Sequence, residues 1–333
     1  MGVAITNILP KKEITFEQLK GKKLAVDSSN VIYQFLASIR QPDGTPLMDQ
    51  KGNITSHLVG LASRVPNLME KNIKLAFVFD GKPPAIKFEE SQRRRELKEK
   101  AQEKYDTAKE QEDTESMFKY SRQTIKLTQE IREESKEFIK SLGIPVIQAP
   151  SEAEAQAAFM AEKGDVFAVV SQDIDALLYS TPILIRNLTV SSKKRVGGTY
   201  IKINPEIYDL KHVLKTLEIN QDQLLALSIL VGTDFNPGGV HRIGPKTALK
   251  LVQEHKSFEK IFANVDAEFN WKKVYATFKS MPIIKNYQLN WNEPNLDKVQ
   301  EILQKHDFSE ERINKLLERL KPKPQKNLDK WFS

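Results

Sequence analysis

The segment DVFAVVSQDID, residues 165–175, decides the fold because an unbroken apolar run ends there on two aspartates. Two earlier segments have the same form, KKLAVD at 22–27 and KLAFVFD at 74–80, and each also ends on an aspartate. Continuous apolar runs of this length, without polar alternation, are typical of strands that helices cover on both faces. Helical spacing between the runs, as in SNVIYQFLASIRQ at 29–41, agrees with this. The sequence therefore predicts an α/β fold.

Composition limits the class of protein. The 333 residues are 40% hydrophobic and 29% charged, enough for one large domain or two smaller ones. No run of about 18 apolar residues could span a membrane, and residues 1–20 lack the apolar core of a secretory signal. The absence of cysteine excludes disulfides, thiolate metal ligands and cysteine nucleophiles. We expect an intracellular, cytoplasmic protein, and the net charge of +7 favours a polyanionic partner.

Carboxylates follow each of the apolar runs. Asp27, Asp80 and Asp173 come at the ends of the three predicted strands, and ligands of open α/β sheets bind beyond the carboxyl ends of the strands. If the chain stays extended after the third strand, Asp175 points the same way as Asp173, since side chains two residues apart share a face. We therefore expect these four acids at one edge of the sheet.

Three further acids are predicted to join them: Glu152 and Glu154 at the start of a helix, and Asp234 after an apolar helix. Single acids also have structural alternatives, because Ser151 and Glu154 fit a capping box and Asp27 could cap the helix that follows it. Seven crowded carboxylates, however, would repel one another by several kcal/mol unless cations compensate them.

Hard divalent cations are the natural compensation for such a cluster. Mg²⁺ is held by a few carboxylates together with water and substrate phosphate. Two ions roughly 3.5–4 Å apart can activate a water and stabilise the leaving oxygen of an in-line displacement. The acids therefore predict phosphate-transfer chemistry.

Residues 87–137 differ in character, with many Lys, Arg, Glu and Gln side chains and few large apolar ones. The simplest interpretation is a pair of solvated helices. Lys87 and Arg94 are seven residues apart, which places them on one helical face, two turns from each other. That face adjoins Asp80, so both cations are expected near the acids.

The stretch GGVHRIGPKTA, residues 238–248, approaches a nucleotide-binding P-loop, but Pro245 displaces Lys246 and a helix, not a strand, precedes it. We therefore reject nucleotide binding. A glycine turn at Gly244 that leads into a helix can instead present backbone N–H groups, together with Lys246, to a phosphate. The alternative is an ordinary turn between two helices.

The chain ends in a Pro- and Lys-rich tail, KPKPQKNLDKWFS, at 321–333. In one helical turn Leu328, Trp331 and Phe332 share a face suited to an apolar pocket on another protein. The alternative is a tail folded back on its own domain.

Six motifs, in order, resemble the archaeal-type flap structure-specific endonucleases, a family that includes the eukaryotic flap endonucleases and the XPG-type nucleases. They are AVDSSNVIYQFL (25–36), FVFDGKPP (77–84), APSEAEAQAA (149–158), SQDIDALL (171–178), VGTDFNPGGV (231–240) and QKNLDKWF (325–332). The resemblance covers essentially the whole chain, and six motifs in the same order are far more specific than any one of them.

The resemblance implies a twisted, largely parallel sheet with helices on both faces, a helical arch and a helix–two-turn–helix DNA-binding element. Residues 1–320 would form a single nuclease domain, followed by a flexible tail at 321–333. Within that domain the family implies an N-terminal nuclease region at 1–100, the arch at 87–137, an internal nuclease region at 138–235 and the DNA-binding element at 224–258.

The resemblance also implies roles for the site residues. The metal-site carboxylates of the family match Asp27, Asp80, Glu152, Glu154, Asp173, Asp175 and Asp234, which would hold two Mg²⁺ ions, with Mn²⁺ as a substitute. Lys87 and Arg94 would contact the scissile phosphate and act in catalysis with Asp175, and Tyr33 would stack on the nucleotide at the cut. Gly244 and Lys246 would grip duplex DNA. The tail residues that match a sliding-clamp (PCNA) binding peptide are Gln325, Leu328, Trp331 and Phe332.

One position departs from the family, which usually has a second glycine where this chain has Arg242. If that position needs a positive φ, arginine is strained there by about 1–2 kcal/mol. Arg242 could also add a phosphate contact to the DNA grip.

The sequence therefore predicts a metal-dependent, structure-specific 5′ flap endonuclease, also a 5′ exonuclease. It would act as a monomer on DNA junctions in replication and long-patch base excision repair. Three alternatives are weaker. A non-catalytic junction- or clamp-binding protein would have lost acids such as Asp80, Asp173 or Asp175, and an RNA-cutting nuclease with the same acid cluster is usually shorter. Pro245 argues against a nucleotide phosphatase.

Overall fold

A seven-stranded, mostly parallel sheet organises the computed structural model, which describes residues 3–121, 123–189, 193–196 and 199–321. The strands in these ranges are β1 (Lys12–Glu13), β2 (Lys23–Asp27), β3 (Lys74–Phe79), β4 (Val146–Gln148), β5 (Ala168–Val170), β6 (Ile183–Arg186), β7 (Lys193–Val196), β8 (Thr199–Lys202) and β9 (Glu206–Asp209). The sheet has the order β1-β9-β6-β5-β2-β3-β4, and β7 and β8 form a separate hairpin. From β6 to β4 all neighbours are parallel, whereas β9 and β1 run antiparallel at the other edge. The predicted fold class is confirmed.

The three apolar runs become adjacent strands at the centre of the sheet. Leu24 of β2 pairs with Leu75 of β3 on one side and with Ala168 of β5 on the other. Parallel strands share the direction of their carboxyl ends, so β2, β3 and β5 deliver the residues that follow them to one edge of the sheet.

Helices surround this sheet. Those in the described ranges are α1 (Ser28–Ser38), α2 (Ser56–Glu70), α3 (Phe88–Glu110), α4 (Thr114–Ser121), α5 (Gln129–Ser141), α6 (Ala153–Glu162), α7 (Leu210–Leu217), α8 (Gln221–Val231), α9 (Pro245–His255), α10 (Phe258–Ala263), α11 (Trp271–Lys279), α12 (Leu296–Lys305) and α13 (Glu310–Leu320). None of these helices is long and apolar enough to cross a bilayer.

Alternate residues of the central strands enter two different cores. Leu24, Val26 and Phe77 pack in one cluster with residues of α1, α2, α5, α12 and α13. Ala25 and Val78 point the other way, into a second cluster that includes α6 to α9. All five are at most 1% exposed, so both faces of the sheet are buried. This explains why the sequence shows continuous apolar runs instead of alternation.

Two helical pairs flank the strand ends. In the first, α3 packs against α4, and the end of α4 rests on the loop after α1. Gly44 makes that approach possible: its φ is +85°, and a Cβ there would lie 2.7 Å from Cα of Phe118. In the second pair, α8 packs against α9, and Gln223 Nε2 donates to the carbonyl of Val252 at 2.7 Å. Both pairs therefore have fixed attachments near the edge where the acids are expected.

Candidate active site

A cavity of about 610 Å³ opens beyond the carboxyl ends of β2, β3 and β5. Its lining includes all seven acids that the sequence indicated: Asp27, Asp80, Glu152, Glu154, Asp173, Asp175 and Asp234. Lys87, Arg94 and Tyr33 also line it. The fold thus brings together acids from five separate segments of the chain, two cations and an aromatic ring.

Asp27 ends β2 and has two contacts. Its Oδ1 accepts the N–H of Asn30 at 3.2 Å and caps α1, the structural role that the sequence allowed. Its Oδ2 lies 3.2 Å from the Ser171 hydroxyl, which is also 3.1 Å from Oε1 of Glu154. A hydroxyl has one proton to donate. At any moment one of these two carboxylates therefore lacks that hydrogen bond and remains open to a proton or a cation.

Asp80 caps α6 from the end of the neighbouring strand, because its Oδ1 accepts the N–H of Ala153 at 2.8 Å. Glu152, the N-cap residue of α6, makes no capping bond with its own side chain. The capping box considered for Ser151 and Glu154 does not form, since the Ser151 hydroxyl donates to a backbone carbonyl of another loop. Both glutamates are left to face the cavity.

Asp173 and Asp175 reach the cavity by a different route from the predicted one. The strand β5 ends at Val170, and Asp175 begins a short 3-10 turn, Asp175–Leu177, so the chain is not extended here. The expectation of side-chain alternation was wrong, although both acids still line the cavity. Within the turn, Oδ1 of Asp175 accepts the N–H of Val3 at 2.9 Å.

Burial and mutual repulsion raise the pKa of three acids. The pKa of Asp27 rises to about 8, first through desolvation and then through the charge of Asp80. Desolvation, followed by the charge of Asp173, raises the pKa of Glu154 and of Asp175 well above the usual carboxyl range. A bound divalent cation would offset this cost and favour the ionised form of all three carboxylates.

Lys87 and Arg94 balance the outer acids. Lys87 Nζ lies 2.7 Å from Glu152 Oε2 and 3.3 Å from Asp234 Oδ2, and Arg94 Nη2 lies 2.5 Å from Asp234 Oδ1. Burial acts to lower the pKa of Lys87, but the charges of Glu152 and Asp234 outweigh it and raise the pKa. Burial likewise acts to raise the pKa of Asp234, and Lys87 and Arg94 bring it below its ordinary value. These two cations are therefore charged and already directed into the cavity.

The donor set fits a hard divalent cation. Every candidate ligand is a carboxylate oxygen, which suits Mg²⁺ or Mn²⁺ and does not suit a soft metal. In the described part of the chain no three acidic or histidine side chains converge closely enough to form a complete metal-binding group. Mg²⁺ does not require such a group, because it keeps several waters and takes oxygens from substrate phosphate.

The other half of the cavity is lined mainly by basic and apolar side chains, with Glu90 as an additional acid, and sequence reasoning missed most of it. Leu97, Lys98, Leu127 and Arg132 line it beside Tyr33. Lys98 Nζ lies 5.8 Å from the centre of the Tyr33 ring. The available signal was helical spacing, because residues 97 and 98 are three and four positions after Arg94. In a segment with so many charged residues, however, that spacing does not show which charged side chains face the cavity.

The remaining predicted DNA-binding residues lie outside the cavity, on the connection between α8 and α9. Gly244 is the N-cap of α9, and Lys246 follows it in the first turn with an exposed side chain. Arg242 is exposed and has a φ of +60°. The left-handed backbone that the sequence suggested at this position is thus present. The tail residues Gln325, Leu328, Trp331 and Phe332 lie outside the described residues.

Replacing Arg242 by glycine is expected to raise the free energy of unfolding by about 0.5–1 kcal/mol. Relief of the left-handed strain contributes about 1–2 kcal/mol, and the greater freedom of glycine in the unfolded chain removes about 0.4–1 kcal/mol of it. Urea unfolding measures the change. Arg242→Ala is the control, since it removes the side chain and keeps the strain; equal stability of the glycine and alanine variants would contradict the prediction.

Two family models match the chain. The XPG N-terminal domain matches residues 1–101, and the XPG I-region matches residues 143–234. Curated proteins of similar sequence include Flap endonuclease 1 of Pyrococcus abyssi, which is 48% identical over an alignment of 340 positions that covers 100% of this chain and 98% of that protein. Flap endonuclease 1 of Hyperthermus butylicus is 46% identical over an alignment of 348 positions, which covers 100% of this chain and 99% of that protein.

Solved structures of nucleases also resemble this chain. Flap endonuclease-1 from Methanococcus jannaschii has a TM-score of 0.77 at 40% identity, covering 96% of this chain and 98% of that one. The catalytic core of Rad2 in complex with DNA substrate is similar in fold, with a TM-score of 0.69 at 22% identity. The match covers 93% of this chain and 96% of that one.

Proposed function

Because the chain belongs to the flap endonuclease 1 family, we propose that it is a metal-dependent nuclease that cuts branched DNA at the base of a 5′ flap. The observation that carries the proposal is the cavity itself, in which seven carboxylates face two paired cations at the carboxyl ends of parallel strands. All seven predicted acids are present in the cavity, whereas a protein that only binds junctions would not need them.

The acids would hold the metal ions. Asp27, Glu154 and Asp175 are buried and repelled by their neighbours, so a divalent cation would stabilise their ionised form. The chemistry that two Mg²⁺ ions supply when bound is activation of a water and stabilisation of the leaving oxygen in an in-line displacement. Mn²⁺, which takes the same oxygen ligands, is expected to substitute.

Lys87 and Arg94 would bind the scissile phosphate beside the outer acids Glu152 and Asp234. Both are charged, and both are partly desolvated between acids. A phosphate that enters between them exchanges carboxylate partners for phosphate oxygens, and the guanidinium of Arg94 can pair with two such oxygens. Hydrolysis adds a water oxygen to phosphorus and releases the 3′ oxygen, which leaves a 5′-phosphate at the nick.

Different segments of the chain would bind different parts of the DNA substrate. We assign the nuclease domain to 1–320, with N-terminal and internal regions at 1–100 and 138–235. The segment at 87–137, which contains α3, α4 and the first part of α5, would form the arch for the single-stranded flap. Tyr33 would lie under it and stack on the nucleotide at the cut. The element at 224–258 would grip the duplex backbone through Gly244, Lys246 and Arg242. The enzyme would act as a monomer at the chromosome, in replication and long-patch base excision repair.

A cleavage time course on 5′-labelled double-flap DNA tests the function. With Mg²⁺ or Mn²⁺ we expect a single product, cut at the flap junction or one nucleotide inside it. With EDTA we expect no product. Plain duplex and single strand of the same sequence are the controls, and both should be cut far more slowly. Tight binding of the flap without metal-dependent cutting would favour the junction-binding alternative.

The tail at 321–333 would bind a sliding clamp. Deleting residues 325–333 is expected to leave basal cleavage unchanged and to abolish its stimulation by the clamp, because the apolar side chains Leu328, Trp331 and Phe332 are lost. The measurement is the cleavage rate with and without PCNA. Unchanged stimulation would instead support a tail that folds back on its own domain.

A further inference from the structure

Glu90 is a buried acid on a helix that is otherwise solvated. It lies near the start of α3, and its side chain is only 4% exposed. Among the described side chains of α3 it is the one charged group that is buried; Ala101 and Ala108 are the others in the core. A buried carboxylate is costly unless cations pair with it. The partners of Glu90 therefore explain why it is there.

Two arginines share this carboxylate. Arg93 donates through Nε to Oε2 at 2.7 Å and through Nη2 to Oε1 at 3.0 Å. Arg94 donates through Nε to Oε1 at 2.6 Å. Burial acts to raise the pKa of Glu90, but the hydrogen bonds from Arg93 and Arg94 outweigh it and lower the pKa below the ordinary value. The carboxylate is thus ionised.

The contacts of Arg94 are divided between two acids, each held by a different nitrogen of its guanidinium. Nε is held by Glu90, whereas Nη2 reaches Asp234 across the cavity at 2.5 Å. A planar group held at two separate nitrogens has its plane and its direction fixed. If only Asp234 held it, the long side chain would be free to rotate about that single contact. Glu90 therefore determines how the Nη groups of Arg94 enter the cavity.

We propose that Glu90 is a positioning residue, which holds the Arg94 guanidinium in the orientation that receives the scissile phosphate before DNA binds. This inference rests on the proposed function, because it takes Arg94 as a phosphate ligand. Glu90 lines the cavity, but we do not assign it as a substrate ligand, because a carboxylate repels phosphate. Its effect passes through Arg94: ordering that side chain in advance removes an entropic cost from the cleavage step.

The test is a double-mutant cycle between Glu90→Gln and Arg94→Ala, read in single-turnover cleavage of double-flap DNA with enzyme in excess. Glutamine keeps the size of the side chain and removes its charge. We expect Glu90→Gln to slow cleavage about tenfold, with the dissociation constant for flap DNA in EDTA within about twofold of wild type. In the Arg94→Ala background we expect Glu90→Gln to have no further effect, since the group it positions is gone.

Glu99→Gln is the matched control. Glu99 forms the same kind of pair with Arg95, at 3.1 Å on the same helix, but the two side chains are 56% and 80% exposed. Its loss should leave the rate unchanged. Melting temperatures of all variants show whether a slow variant is merely less folded.

Two results would overturn the inference. Additive losses in the cycle would mean that Glu90 acts independently of Arg94. Faster cleavage by Glu90→Gln would mean that Glu90 competes with the phosphate for Arg94. Failure of the wild-type protein to cut flap DNA is a separate outcome, since it would reject the proposed function on which the inference rests.

Discussion

Replacing Asp175 by asparagine is expected to abolish cleavage while leaving the protein as stable as the wild type, or more stable. The rate should fall by about 10³-fold, the scale observed when one preorganised group of a charge-stabilising site is removed. Binding of flap DNA should change little, because Asp175 is assigned to the metal and not to the phosphate. Asparagine keeps the Oδ1 that accepts the Val3 N–H.

The expected stability follows from the environment of Asp175. Desolvation and the charge of Asp173 raise its pKa, so the folded protein without metal bears a cost for the ionised form. A neutral side chain of the same shape removes that cost. Thermal unfolding at neutral pH in EDTA measures the difference, and single-turnover cleavage measures the loss of activity.

Asp222→Asn is the control for Asp175→Asn, since Asp222 is an exposed acid that pairs with Lys279 on the surface. It should neither slow cleavage nor raise the melting temperature. Retained turnover by Asp175→Asn would refute its role as a metal ligand, and a large fall in melting temperature would refute the repulsion argument.

Replacing Lys87 by alanine is the second change with a large expected effect. We expect cleavage to fall by about 10²-fold, as for the loss of a single preorganised charge at a reacting centre. Lys87 lies between Glu152 and Asp234 at 2.7 and 3.3 Å, so its loss also leaves two desolvated carboxylates facing the position of the phosphate. Arginine should restore little, because a planar guanidinium does not take the place of a compact ammonium between two acids.

The matched control for Lys87→Ala is Lys279→Ala. Lys279 Nζ lies the same 2.7 Å from Asp222, but the two side chains are 46% and 52% exposed, where an ion pair contributes little. Comparison of multiple- and single-turnover rates separates chemistry from product release. If both lysine variants cut at the wild-type rate, Lys87 has no part in the chemistry.

The central sheet and its acids were predictable because two local rules sufficed. Unbroken apolar runs identified β2, β3 and β5, and the topology of parallel strands then placed Asp27, Asp80 and Asp173 at one edge. Asp175 was placed correctly for the wrong reason, since the backbone turns after β5. Its turn depends on contacts such as that with Val3, 172 residues away in the chain.

The role of the first turns of α3 was not predictable in the same way. Glu90 is one of many acids in a segment with no apolar periodicity, and although Arg93 and Arg94 follow it at helical spacing, that spacing does not show that its side chain is buried. A second buried pair could not be predicted for a different reason: His306 Nδ1 lies 3.1 Å from Asp49 Oδ2 although 257 residues separate them. Such pairs depend on which distant surfaces meet, and a single sequence does not contain that information.

Because β2 lies between β3 and β5, the edge of the sheet that carries the acids is completed only late in synthesis. The pairing of β2 with β3 joins segments about 50 residues apart, but β5 enters beside β2 from about 145 residues away, and Asp234 comes later still. Parallel pairing over such separations is slow, because the loop must be closed before the contacts form. A nascent chain that has emerged only as far as β4 has two of the seven acids in place. If cleavage requires the seven acids, as proposed, we expect no nuclease activity until the segment that contains Asp234 has left the ribosome.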